Sequence, residues 1–91
     1  MTLIDEWLAI DGNQVARDLR DAAEKLDSGA GDAFLDFKSV RRIDPSGLRA
    51  LEDFALAAEE KAVHATVRGV NVDVYKVLKL ARLSSRFSMV N

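Results

Sequence analysis

The 91-residue chain has no cysteine, one proline and one histidine. Without cysteine there is no disulfide, no thiolate nucleophile and no thiolate metal ligand. The lone His64 has no second imidazole for a metal site or a proton relay, and it sits in a predicted strand, so it reads as a surface or capping residue. The five glycines do not form a phosphate-cradling pattern. Aromatic side chains make up only 7% of the chain and do not interleave with basic ones, which argues against a nucleic-acid interface that stacks bases. No apolar run reaches membrane-spanning length, and Asp5 and Glu6 stand where a signal peptide would carry basic and apolar blocks. The expectation is a soluble, cytoplasmic protein with no metal or other cofactor and no membrane insertion.

Apolar residues make up 48% of the chain. A chain of this length forms one domain, expected over 1–91, and buries roughly 60–65% of its unfolded surface, enough for a core without staples. Charge is unevenly spread. Met1–Asp36 holds nine acidic and three basic side chains, Phe37–Val63 five of each, and His64–Asn91 one acidic and five basic. The basic end comprises Arg68, Lys76, Lys79, Arg82 and Arg86, which suits a solvated helix flank with cations near its C-terminus, or contact with phosphate or an acidic partner.

Hydrophobic periodicity predicts strand, helix, strand, helix, strand, helix. Thr2–Ile10 alternates as a strand, and Asp11-Gly12-Asn13 punctuates it before Val15, Leu19, Ala22, Ala23 and Leu26 mark a helix. The breaker Ser28-Gly29-Ala30-Gly31-Asp32 precedes a strand over Ala33–Phe37. Leu48, Leu51, Phe54, Ala55, Ala58 and Ala62 recur at helical spacing, predicting a helix over Pro45–Lys61, followed by a strand over His64–Gly69. A last helix begins near Val72 and runs through Val74, Val77, Leu78 and Leu83 toward Phe87, losing its period at Ser84-Ser85; Phe87–Val90 can add a short strand. Strands separated by single helices need crossovers, so the strands should be parallel and the crossovers right-handed. The expected fold class is α/β: a layered domain with a small, mostly parallel sheet and helices mainly on one face. Alternation places Leu8, Ile10, Leu35, Phe37, Ala65 and Val67 on the core face, and Trp7, Ala9, Phe34, Asp36, His64, Thr66 and Arg68 on the other. Trp7 and Phe34 are then either covered by a terminal segment or form a partner patch, including one for a homodimer.

The most informative stretch is Arg42-Ile43-Asp44-Pro45-Ser46-Gly47-Leu48. Asp44 suits an N-cap and Pro45 the first helical position, which sets Ser46 in the first turn of the second helix. Ser46 has no base partner in the sequence pattern, so it reads as an acceptor of phosphate and not as a catalyst. The acids Asp11, Asp36 and Asp44 lie at strand ends, as in metal-binding receiver domains, but neither a paired acidic cluster after the first strand nor a lysine near the last strand is evident.

From Phe34 to its end the chain resembles the STAS domain, named for sulfate transporters and anti-sigma factor antagonists. The likeness rests on Phe34-Leu35-Asp36-Phe37 leading through Lys38-Ser39-Val40-Arg41-Arg42-Ile43 to Asp44-Pro45-Ser46-Gly47-Leu48, then Arg68-Gly69-Val70 and a closing helix. Among small stand-alone bacterial members, the resemblance implies a non-enzymatic, cytoplasmic regulator of transcription. A partner that is both serine kinase and anti-sigma factor would phosphorylate Ser46, and Asp44, Pro45, Ser46, Gly47 and Arg49 would bind that partner. The alternative it implies is an unphosphorylated accessory subunit docking on the ATPase of an ABC transporter for lipid trafficking. Glycine within a helix costs up to about 1 kcal/mol against alanine, yet members of the family keep a residue without a side chain at the place of Gly47, which implies that the partner's backbone or a kinase's nucleotide-side loop comes close there. On that expectation Gly47→Leu abolishes binding and leaves the melting temperature nearly unchanged.

Overall fold

The computed structural model describes residues 7–26 and 31–90. Its elements are β1 (Leu8–Ala9), α1 (Val15–Glu24), β2 (Asp32–Asp36), α2 (Pro45–Glu60), β3 (His64–Arg68), α3 (Val72–Leu80) and β4 (Ser88–Val90). The four strands form one all-parallel sheet in the order β1-β2-β3-β4. The chain is therefore α/β, with each strand hydrogen-bonded to the next strand in chain order. Crossovers of one hand in that order all pass on the same side of the sheet, and residues of α1, α2 and α3 pack into one core against it.

One core lies between sheet and helices. Ile10, Leu35, Phe37, Ala65 and Val67 meet Val15, Leu19 and Ala22 of α1, Ala50, Leu51, Phe54, Ala55 and Ala58 of α2, and Val74 and Leu78 of α3. Val63, Leu83 and Phe87 close its lower rim, the Phe87 ring lying 6.4 Å from that of Phe54. Leu8 shares a register position with Leu35 but is 38% exposed, because β1 is an edge strand and leaves it little to pack against. The expected strand over Thr2–Ile10 is seen at Leu8–Ala9; its part before Trp7 lies outside the described residues.

The expected helix toward Phe87 stops at Leu80. Arg82 turns to a φ of 63°, the Leu83 amide bonds back to the Leu78 carbonyl at 2.8 Å, and the Arg82 amide to that of Lys79 at 3.0 Å. The end of α2 repeats the device with Ala62 at a φ of 56°, the Val63 amide on Ala58 and the Ala62 amide on Glu59. Both are Schellman caps whose left-handed position holds a residue other than glycine. In each, the buried side chain after the cap, Val63 or Leu83, seals the helix end against the core. The chain then has room to form β4, where Ser88 pairs with Thr66 and Met89 with Val67.

Candidate functional site

Parallel strands deliver all their outgoing connectors to one edge of the sheet, so the segments after β1, β2 and β3 meet there. They are tied together. The Asn71 side chain donates from Nδ2 to the Arg41 carbonyl at 3.0 Å, tying the connectors after β2 and β3, and a Cβ on Gly12 would run into the Ser39 carbonyl, so only glycine lets the connectors after β1 and β2 touch. Because the strand order never reverses, neighbouring connectors do not diverge to opposite faces and no switch-point crevice opens between them. The result is an end marked by open surface grooves and not by a crevice between diverging connectors.

On this end stands the start of α2. Asp44 caps it as expected, its Oδ1 accepting from the Gly47 amide at 2.7 Å, with Pro45 at the first helical position. Ser46 is exposed, and its hydroxyl donates to Asp44 Oδ1 at 3.5 Å, a long and weak bond. Pro45 and Arg49 are also exposed. The structure thus brings Asp44, Pro45, Ser46 and Arg49 to one surface.

Gly47 differs from expectation. It is buried, and a Cβ there would meet Asp44 Oδ1 at 3.1 Å, Val15 Cγ1 at 3.3 Å and Ile43 Cγ2 at 3.4 Å. The missing side chain serves the close approach of α2 to α1 and the geometry of the cap. It does not face outward for a partner's backbone.

Beside Ser46 runs a groove of ≈ 440 Å³ lined by Asn13, Gln14, Arg17, Arg20, Arg42, Asp44 and Ser46. A neighbouring groove carries Asp11, Ser39, Arg41 and again Arg42. The sequence reading missed this basic ground, since Arg17 and Arg20 sit in the most acidic third of the chain and regional counting hid them. Their spacing of three, which stacks two side chains on one helix face, was the available signal.

A second constellation lies on the face of the sheet that the described helices leave uncovered. Asp36 is the one buried charged residue among those described. Its Oδ2 accepts from Arg68 Nε at 3.2 Å and Nη2 at 3.1 Å across the β2–β3 pair, and its Oδ1 from the Lys38 amide at 2.9 Å. Burial taken alone raises the Asp36 pKa; the Lys38 amide, the Arg68 guanidinium and the Lys38 charge together outweigh it and hold the carboxyl below its ordinary value. Arg68 also lies 4.2 Å over the Trp7 ring, which meets Phe34 at 5.1 Å. His64 is exposed, with Nε2 2.6 Å from Ser88 Oγ. Among the described residues no cluster of acids and histidine is arranged to hold a metal ion, and no helix is long and apolar enough to cross a membrane.

Compared with known proteins, the chain matches no family model, and no curated protein matches it significantly.

Proposed function

We propose that this chain is a regulatory protein-binding module of the anti-sigma factor antagonist type, working in the cytoplasm and switched by phosphorylation of Ser46. The observation that carries the reading is the exposed Ser46 hydroxyl at the start of α2, held by a long 3.5 Å contact with the capping Asp44 carboxylate and bordered by an open groove. Such a hydroxyl is an acceptor. The partner, a serine kinase that is also an anti-sigma factor, supplies ATP. The Ser46 oxygen bonds to the γ-phosphorus as the bond to the ADP oxygen breaks, and the hydroxyl proton passes to the kinase's base. In the unmodified state Arg17, Arg20 and Arg42 face an acidic segment of the partner across the groove. Phosphate brings about −1.5 to −2 charges to that surface, removing the attraction and adding a group that is costly to desolvate. Asp44, Pro45, Ser46 and Arg49 form the contact surface, and Gly47 supports it from beneath.

Isothermal titration against the partner captured from the native cell and purified tests this. Ser46→Ala is expected to bind like the wild type and Ser46→Asp at least tenfold more weakly. Equal affinities would remove the switch and leave the alternative, constitutive docking on an ABC transporter ATPase.

A further inference from the structure

We infer that Arg17, Arg20 and Arg42 form a built-in receptor for the phosphoryl group of phosphorylated Ser46. The inference rests on the reading of Ser46 as a modified residue and adds what holds the modification once it is made.

Arg17 and Arg20 of α1 and Arg42 of the connector after β2 line the same groove as Ser46, so two separate elements contribute arginines to it. The ion pairs among the described residues join Lys38 and Arg68 to Asp36, and Arg86 to Glu59; none engages these three arginines. Arg17 Nη1 is held by the neutral Gln14 Oε1 at 2.9 Å, which orients it without cancelling its charge. The start of α2 is a poor anion site by itself. Pro45 has no N–H, the Gly47 amide is already bonded to Asp44, and the Asp44 carboxylate repels an added anion. That leaves the Ser46 amide as the one first-turn donor without a partner, and the larger attraction for phosphate at this end comes from the guanidinium groups, whose paired N–H donors match two phosphoryl oxygens at once. Other charges nearby are Arg49 one turn along α2, Asp11 and Arg41 in the adjoining groove, and Asp18, whose Oδ2 accepts from the Asp11 amide at 2.8 Å. Bridging α1 to the start of α2, the phosphoryl group closes the groove over, so the modified protein presents a neutral surface where the unmodified one is cationic.

Phosphoserine placed at position 46 during synthesis tests this without any kinase. The probe is the phosphorus NMR titration of its second ionisation, which lies at about pH 6 in an unconstrained phosphoserine. The expected result is a pKa lowered by roughly half a unit to one unit in the otherwise wild-type protein. It should return to the unconstrained value in the Arg17→Ala, Arg42→Ala double variant. All three arginines are exposed, so these variants keep the fold, which circular dichroism checks. A value at or above that of the unconstrained group would overturn the inference. So would a lowering that survives Arg17→Ala, Arg20→Ala and Arg42→Ala together, since the helix end would then be the binder. Failure of any kinase to modify Ser46, or of modification to release the partner, would sink the switch reading and leave this titration untouched; an unshifted titration would sink the receptor and leave the switch standing.

Discussion

Leu35 and Asp36 are adjacent in β2, yet one is 1% exposed among aliphatic and aromatic side chains and the other is held by Arg68 and Lys38 on the opposite side. The difference runs along the whole sheet. Its helix side is apolar without interruption, while its other side mixes Trp7, Phe34, Thr66 and Ser88 with charged Asp36 and Arg68. All-parallel sheets ordinarily have helices on both faces. Here the sequential strand order sends every crossover to one side, and polar cross-strand pairs take the place of a second helical layer. The comparison separates two sources of order: packing density on one face and matched pairs on the other.

The largest effect is expected where packing carries everything. Phe54, fully buried and stacked on Phe87, should cost about 3–5 kcal/mol on conversion to alanine, read by urea unfolding. A loss below 1 kcal/mol would show that the helix side is not close-packed. Next comes Gly47→Leu, which crowds Val15 and Ile43 and should lower stability by about 1–3 kcal/mol. An unchanged melting temperature would return Gly47 to an outward role.

On the other face, Asp36→Asn should cost about 1 kcal/mol, modest because Arg68 is a third exposed. The pH dependence has a definite sign. The folded carboxyl titrates below its ordinary value of 3.8, so its contribution is fully present above that value and lost as pH falls through the lowered folded value. The gap between wild type and Asp36→Asn should therefore narrow in unfolding curves taken below about pH 4; a constant gap would mean that shape, not charge, matters there. The double change Trp7→Ser with Phe34→Ser removes an aromatic pair and the ring under Arg68, and its deciding readout is association. If this half-buried aromatic pair pairs copies of the chain, sedimentation will show a dimer for the wild type and a monomer for the variant, with partner binding intact. A wild type that sediments as a monomer at high micromolar concentration ends that idea.

Period and punctuation made most of this fold legible. The apolar stripe from Leu48 to Ala58, with Asp44 and Pro45 ahead of it, places α2 to within a residue at its end. The two sheet faces follow from alternation, with Leu8 the exception because alternation carries no information about which strand lies at an edge. The end of α3 was hidden because the left-handed stop falls on Arg82, a residue with no special taste for that conformation; tertiary packing of Leu83 imposes it. At the site, the cap and the exposed serine were readable from local chemistry. Burial of Gly47 against Val15 was not, and neither was the arginine groove, because both depend on how α1 leans on α2 across residues distant in the chain.

The sequential order of the strands also bears on how the protein forms. Each strand hydrogen-bonds to the one made just before it, with a single helix between, so no pairing has to wait for a distant segment. Loop-closure entropy is then met in three similar small instalments rather than one large one. A ribosome releasing this chain can lay down the sheet strand by strand, and refolding should be fast for a parallel sheet.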